Sequence, residues 1–272
     1  MKTLSEYANT FDFIKFRRED GILEMTLHTK GGPFAFCEEM HHDFSEVCNL
    51  VNRDPENKVV ILTGTGDRFC AAFDYASFFK HMAVSAEQTW IRVRRDGTRM
   101  LTAFLDIEIP VIAAINGPAV SHSELPLLAD VVLCADTTIF QDATHFIAGI
   151  PPGDGMHVVW TTLLGLNRGR YFLMTGQKLT AQEALAAGVV GEVLPLKNLN
   201  TRAWEIARQW VKYPLLNLHG TRAILTTEWK RKMTDYLHSG LTYEAMSALM
   251  NQPPPADPGA PMPPIIDLLA NQ

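Results

Sequence analysis

Two ionisable side chains, His145 and Asp154, flank a turn rich in glycine and proline in the stretch FQDATHFIAGIPPGDGMH. Pro151 and Pro152 interrupt a continuous helix, so the chain can fold back and bring the two side chains together. A carboxylate beside one imidazole nitrogen orients the ring and stabilises its cation, and leaves the other nitrogen free to accept a proton. The spacing therefore predicts a His-Asp dyad whose free nitrogen faces a cavity and acts as a general base.

Both residues also have structural interpretations. Asp154 precedes Gly155 and an apolar run, a position typical of a helix N-cap. His145 lies between Thr144 and Phe146 and fits a buried histidine with satisfied hydrogen bonds. Paired ionisable groups are often only structural, so the local sequence leaves these alternatives open.

His122 and Glu244 are further candidates, because one follows a turn and the other lies on an otherwise apolar helical face. Each of them, taken alone, also fits a structural or surface residue. Two histidines and an aspartate can bind a metal ion, but HxxxH and HxD spacings are missing, so no metal is predicted. The adjacent His41 and His42 are expected to face solvent.

Several classes of function lack a motif. The chain has no GxGxxG or Walker A loop and no GxSxG elbow, so nucleotide and serine-nucleophile chemistry are not indicated and no cofactor is predicted. A net charge of −6 argues against a nucleic-acid partner. Four scattered cysteines favour reduced thiols, and no apolar segment suits a signal peptide or membrane helix. These features predict a cytoplasmic protein.

Strand and helix patterns alternate in the first two thirds of the chain, and helices dominate the last third, which predicts an α/β class. Capping-box patterns at Ser85 and Thr180 predict helix starts. The predicted organisation is a core over residues 1–195, a helical region over 196–250 and a Pro-rich tail over 251–272. Within the helical region, separate helices are expected over residues 199–211, 214–232 and 233–250.

Five segments occur in an order that resembles the crotonase (enoyl-CoA hydratase/isomerase) superfamily: KVVILTGTGDRFCAAFD, PVIAAINGPAV, ADVVLCADTTIFQ, GIPPGDG and FLMTGQKLTAQEALAAGVVGEV. This resemblance implies a ββα-spiral core, a C-terminal helical region that mediates trimerisation, and homotrimers or dimers of trimers. It also implies an oxyanion hole made by the backbone N–H groups of Phe73 and His122.

The chain departs from the hydratase pattern at the catalytic positions, and these departures indicate one branch of the superfamily. Leu125 and His145 occupy the positions of the two catalytic glutamates, and Asp154 replaces the alanine of a Gly-Ala-Gly turn. The ALNAL-like stretch used near coenzyme A is also missing from residues 31–38. The set His122, His145, Asp154 and Glu244 is similar to the β-diketone hydrolase branch, in which a tryptophan stands at the position of Phe36.

The branch resemblance implies a hydrolase that splits a carbon–carbon bond of cyclic 1,3-diketones in a retro-Claisen reaction. His145 would activate water, with Asp154 as its orienting partner and His122 as a stabiliser of oxygen charge. Glu244 would hold water or polarise a carbonyl. Candidate pocket walls are aromatic: Phe36, Phe73 and Trp160. The alternatives are crotonase chemistry on an acyl-CoA thioester and a non-catalytic interaction protein of the same fold.

Overall fold

The computed structural model describes residues 3–82, 85–251 and 265–269. The strands, in chain order, are β1 (Ile14–Glu19), β2 (Ile22–Leu27), β3 (Ala35–Phe36), β4 (Val59–Gly64), β5 (Ala72–Phe73), β6 (Val111–Ile115), β7 (Val131–Ala135), β8 (Ile139–Phe140), β9 (Leu179–Thr180), β10 (Glu192–Leu194) and β11 (Ile266–Asp267). The fold is mixed α/β of the crotonase type, as the sequence predicts.

The helices are α1 (Leu4–Tyr7), α2 (Glu38–Arg53), α3 (Tyr75–Met82), α4 (Ala86–Leu105), α5 (Glu124–Leu127), α6 (Met156–Leu163), α7 (Leu166–Thr175), α8 (Ala181–Ala186), α9 (Leu196–Trp210) and α10 (Leu215–Asn251), and a 3-10 turn covers Phe146–Ala148. Both predicted caps form: Ser85 Oγ accepts from the Gln88 N–H, and Thr180 and Glu183 complete a capping box. In the described part of the chain, no helix is both long and apolar enough to traverse a bilayer.

A six-stranded sheet in the order β1-β2-β4-β6-β7-β10 forms the centre of the fold. β1 and β2 make the antiparallel hairpin that the turn Glu19-Asp20-Gly21 predicts, and the other neighbours are parallel. The chain returns to the same edge after each crossover, so the turns that follow β6 and β7 lie side by side.

Alternate residues of the central strands pack on opposite faces of the sheet. In β4, Val59 and Ile61 contact the α9 side, whereas Val60 and Leu62 join the main core on the other side. The run VVIL is therefore buried on both faces, as expected for a central parallel strand.

The C-terminal part of the chain differs from the prediction in one respect. The helices expected over 214–232 and 233–250 are one continuous helix, α10, of 37 residues. No proline interrupts it, and Gly240 is accommodated because it lies against Gly153 of the central loop. α10 packs along α4, which brings its last turns to the loop that contains Asp154.

The end of the chain returns to the body of the protein. Residues 252–264, which include most of the predicted Pro-rich tail, lie outside the described residues. β11 pairs with β5 in a small sheet with β3. Arg68 and Asp267 form an ion pair at 2.7 Å, and Leu268 packs with Ala71. Residues 265–269 thus cover the outer edge of β5, the strand that contains Phe73.

Candidate active site

The turn after β6 presents His122 to the interior. Sequence predicts a short helix that contains His122, but the helix begins at Glu124, and His122 has a left-handed backbone with φ of 46°. Non-glycine residues adopt this conformation rarely. It turns the imidazole towards the central loop, where Asp154 Oδ2 lies 3.0 Å from Nδ1.

A close approach of two glycines fixes the central loop against α10. A Cβ added to Gly153 would lie 2.1 Å from the carbonyl oxygen of Gly240, so any larger residue there would force the helix and the loop apart. Asp154 follows Gly153 directly, and Glu244 lies one helical turn after Gly240. This contact therefore places the carboxyl group of Glu244 next to that of Asp154.

His145 lies between two carboxylates. Asp142 Oδ1 is 2.7 Å from Nδ1, and Asp154 Oδ2 is 3.3 Å from Nε2. The predicted contact between His145 and Asp154 is therefore present. The expectation that the second nitrogen faces a cavity was wrong, because Asp142, one turn earlier in the chain, occupies it. The observed unit is Asp142–His145–Asp154, and the imidazole is 4% exposed.

Asp154 is shared by the two imidazoles. Its Oδ2 lies 3.0 Å from Nδ1 of His122, in addition to its contact with His145. Its other oxygen, Oδ1, accepts from the N–H of Met156 at 3.3 Å, at the start of α6. The N-cap of α6 is Gly155, so the helix-capping interpretation of Asp154 was wrong, whereas its Oδ2 makes the predicted contact with His145.

Two glutamates complete the cluster. Glu124 is fully buried and its Oε1 is 3.0 Å from Nδ1 of His122. Glu244 lies within 4.8 Å of the reactive atoms of His145 and Asp154. In the described part of the chain, Oε2 of each glutamate has no hydrogen-bond partner. Asp142 Oδ2 and Asp154 Oδ2 likewise lack a hydrogen-bond partner there, so several buried oxygens of the cluster are open to a reactant.

The charges in this cluster are set by burial and by the neighbours. Burial disfavours the protonated form of His145, but the charges of Asp142 and Asp154 outweigh it and raise the pKa of His145 well above 6.5. Burial also acts to raise the pKa of Asp154, yet His145 and His122 hold it well below its usual range. These opposite shifts favour a protonated His145 beside an ionised Asp154.

Three other groups of the cluster, His122, Glu124 and Glu244, have pKa shifts that favour their neutral forms. Burial lowers the pKa of His122 to about 3; Asp154 opposes this shift, and His41 and His145 add to it. Burial, and then the charge of Asp154, raise the pKa values of Glu124 and Glu244 well above 4.5. The cluster can thus both donate and accept protons without bulk water.

Two groups of three ligand-type atoms have their members within 4.8 Å of one another: His122, Glu124 and Asp154, and His145, Asp154 and Glu244. Asp154 belongs to both groups, and both imidazoles already contact it. The same contacts place possible proton donors and acceptors within reach of one another.

An aromatic wall covers one side of the cluster. The ring of Phe36 stacks on His122, with centroids 3.5 Å apart and planes 15° from parallel. Phe73 stacks on Phe36 at 6.0 Å, and Phe78 stacks on Phe73 at 4.6 Å. Of the three predicted wall residues, Phe36 thus lies against His122, and Phe73 lies behind Phe36.

Trp160, the third predicted wall residue, lies in the core. It stacks on Phe172 at 4.1 Å and meets the edge of Phe140, and it is fully buried. Its indole N–H donates to Ser123 Oγ at 3.0 Å, next to His122. Trp160 therefore stabilises the turn that contains His122 from within the core.

His41, which was expected to face solvent, is buried instead. Its ring meets Phe36 and His122 edge-on, at 5.0 and 5.4 Å between centroids. His42 is exposed, as expected. The two neighbours point apart because successive helical residues differ by about 100°, so the apolar face of α2 includes His41.

Asp142 and Glu124 are the cluster members that sequence reasoning missed. Asp142 lies three residues before His145, and Glu124 lies two residues after His122. The spacing of Asp142 and His145 within FQDATH was a usable signal. Glu124 gave none, because it stands one residue before the position at which relatives have a catalytic glutamate.

A separate cleft of about 340 Å³ lies near the junction of α9 and α10, lined by Pro110, Trp210, Tyr213, Leu218 and Leu225, among others. None of the predicted site residues lines it.

Residues 17–249 match the enoyl-CoA hydratase/isomerase family, and the chain belongs to this family. Hydroxycinnamoyl-CoA hydratase-lyase of Pseudomonas fluorescens is 28% identical over 88% of each chain. Carnitinyl-CoA dehydratase of Citrobacter koseri is 30% identical over 88% of this chain and 91% of its own.

One solved structure is more similar to this chain than these two relatives are. ABDH, a β-diketone hydrolase from the cyanobacterium Anabaena sp. solved with (S)-3-oxocyclohexyl acetic acid, is 43% identical to this chain. The match covers 90% of this chain and 97% of ABDH, with a TM-score of 0.86. An enoyl-CoA hydratase/isomerase from Mycobacterium paratuberculosis, 23% identical with a TM-score of 0.80, shares the fold.

Proposed function

We propose that this protein hydrolyses a carbon–carbon bond of a cyclic 1,3-diketone and releases a keto acid. The observation that supports this most is the buried array in which one carboxylate, Asp154, lies between two imidazoles. The similarity to ABDH, at 43% identity, points to the same reaction class.

The chemistry of such a substrate matches the groups in the cluster. Water can split a 1,3-diketone because the carbon that leaves is an enolate, stabilised by the second carbonyl. The site must take a proton from water, stabilise charge on two oxygens in turn, and return a proton to carbon. Apart from the water itself, no other reactant is consumed.

His145 is the proposed base, and Asp142 rather than Asp154 is the group that orients it. Asp142 holds Nδ1 at 2.7 Å, so Nε2 is the nitrogen available for proton transfer. As the water oxygen bonds to the carbonyl carbon, its proton passes to Nε2. Asp154, 3.3 Å away, stabilises the imidazolium that results.

The carbon–carbon bond then breaks. Its electron pair moves into the enolate, and the proton held by Nε2 passes to the enolate carbon. His122 and backbone N–H groups would stabilise the oxygen charge, and one such donor contributes about 3 kcal/mol in measured systems. The neutral carboxyl of Glu244 can hold the water or donate to a carbonyl.

The aromatic wall of Phe36 and Phe73 suits an apolar ring. Phe36 has no polar hydrogen to offer, so this side of the site would bind the substrate through contact area. We infer a substrate whose ring is hydrocarbon, with its polarity confined to the two carbonyl groups.

The rate of cleavage is expected to rise with pH, with an inflection clearly above 6.5, the ordinary pKa of histidine. The base is deprotonated His145, and Asp142 and Asp154 raise its pKa, so the active form is populated only above that value. Asp154→Asn removes one of the two raising charges, which should move the inflection to lower pH. Glu124 and Glu244 also face this cluster and should be replaced in turn by glutamine as controls. A wild-type inflection at or below 6.5 would contradict the assignment.

The decisive experiment offers the protein two substrate types. With a bicyclic 1,3-diketone that cannot enolise between its carbonyls, we expect loss of the diketone and release of one equivalent of acid. Two of the relatives, hydroxycinnamoyl-CoA hydratase-lyase and carnitinyl-CoA dehydratase, are named for coenzyme A thioesters, so titration with coenzyme A in a calorimeter is the matched comparison. Sub-millimolar coenzyme A binding without diketone cleavage would favour the acyl-CoA alternative and overturn the proposal.

We also propose an oligomeric state and a cellular location. Large apolar side chains are exposed on α10, among them Leu216, Ile224 and Met246. They support the predicted homotrimer or dimer of trimers, in which the region 196–250 would form the contacts. The proposed setting is the cytoplasm, with all four cysteines as free thiols.

A further inference from the structure

Glu124 is a buried carboxyl group that forms a hydrogen bond with a site histidine. Its Oε1 lies 3.0 Å from Nδ1 of His122, and its Oε2 has no partner among the described residues. The side chain is fully buried, so solvent does not satisfy the second oxygen. The mechanism above assigns this residue no role.

The position of the proton on Glu124 follows from these contacts. Burial and the charge of Asp154 favour the neutral acid, which has a single O–H donor. A proton on Oε2 would be a buried donor without an acceptor, which costs about 1–3 kcal/mol. On Oε1 the proton can be donated to Nδ1 of His122.

Asp154 competes for the same nitrogen. Its Oδ2 is also 3.0 Å from Nδ1, and a charged carboxylate favours an N–H at that position. However, this contact lacks hydrogen-bond geometry, since Asp154 Oδ2 makes no hydrogen bond among the described residues. The aligned partner of Nδ1 is Glu124.

We propose that Glu124 is a positioning residue: it donates its proton to Nδ1 of His122 and thereby fixes the tautomer that carries the hydrogen on Nε2. A neutral histidine has one N–H, and the nitrogen that carries it depends on what the other nitrogen accepts. Only the Nε2–H tautomer can donate to a developing oxyanion. The inference rests on the proposed function in one respect, namely that His122 stabilises oxygen charge.

The tautomer can be measured without substrate by nitrogen NMR of the protein labelled with ¹⁵N-histidine, with His122→Gln used to assign the signal. We expect Nε2 to carry the hydrogen in the wild type and in Glu124→Gln, whose amide N–H can replace the acid as donor. In Glu124→Leu the donor is lost, and the hydrogen should move to Nδ1, facing Asp154. Glu24→Gln, which alters a buried carboxyl bonded to Trp204, is the matched control and should leave the His122 signal unchanged.

The groups that face His122 from other elements are Asp154, His41 and His145, so the spectra should be recorded at one pH, near neutral, where its pKa of about 3 keeps it uncharged. A hydrogen on Nδ1 in the wild type would overturn the proposal. An unchanged tautomer in Glu124→Leu would overturn it as well. If Glu124→Leu fails to fold, the wild-type spectrum can still overturn the proposal.

Steady-state kinetics distinguish a positioning role of Glu124 from a role in packing alone. If the diketone is cleaved, Glu124→Leu should lower kcat about 100-fold, as loss of an oxyanion donor does, with a smaller change in KM. Glu124→Gln should retain activity within about 3-fold, since a neutral donor is kept. Equal losses in both variants would overturn the donor role. If no diketone is cleaved, the proposed function fails, while the tautomer measurement still stands on its own.

Discussion

His145→Ala is expected to lower kcat for cleavage of a 1,3-diketone by a factor of at least about 100, the usual size of a general-base contribution. In free energy this is about 2.7 kcal/mol of transition-state stabilisation. The loss should fall on kcat, because Nε2 takes up the proton only as the new carbon–oxygen bond forms. Asp154→Asn is expected to have a loss of the same order, since its charge stabilises the imidazolium.

The measurement is steady-state kinetics by acid release, together with circular dichroism to establish that each variant is folded. His145→Gln is the second variant, because it fills the space between Asp142 and Asp154 without supplying a base. His42→Ala is the matched control: this histidine is exposed on α2, and its removal should leave kcat unchanged. Unchanged rates in His145→Ala and Asp154→Asn would remove the mechanism, though the fold would stand.

Arg222→Leu is expected to destabilise the protein by about 3–5 kcal/mol, the range for breaking a buried ion pair from one side. The Arg222 side chain is 1% exposed. It donates to Asp130 at 2.6 Å and to the carbonyl oxygens of Ile107 and Phe104. One guanidinium thus connects α10 to the end of α4 and to the turn before β7. Its loss leaves Asp130 and two carbonyl groups buried without this donor.

Urea unfolding at a fixed protein concentration measures the effect, since an oligomer's stability depends on concentration. The double variant Arg222→Leu with Asp130→Asn should lose less than the sum of the two single changes, because the uncompensated charge is gone. Arg231→Leu, at an exposed arginine on the same helix, should change stability by less than about 0.5 kcal/mol. A loss of under about 1 kcal/mol in Arg222→Leu would show that the network is not stabilising.

Local patterns in the sequence were sufficient for most helices and strands of the core. The hairpin at Glu19-Asp20-Gly21, the N-cap Ser85 and the capping box at Thr180 are contacts within four residues, so the sequence itself contains both partners. The short strands β3, β5 and β11 were not predicted. Their pairing joins segments far apart in the chain, and two residues carry too little pattern to indicate a strand.

The sequence predicted which residues form the candidate site, but only some of the contacts between them. His122, His145, Asp154 and Glu244 come together as the sequence and the family resemblance indicated. The partner on Nδ1 of His145 is Asp142, and the side chain of His41 turns inward. Which nitrogen meets which oxygen depends on ring orientation, and this is decided by packing from several elements at once.

The sequence and its family resemblance indicated the fold class and the candidate acid–base residues, because each of these depends on residue type and order along the chain. Only the tertiary structure decided that Asp154 lies between two imidazoles, that Glu124 joins them, and that two carboxylates raise the pKa of His145. The physical reason is that protonation depends on burial and on the distances between charges, and both are set by contacts between residues remote in sequence.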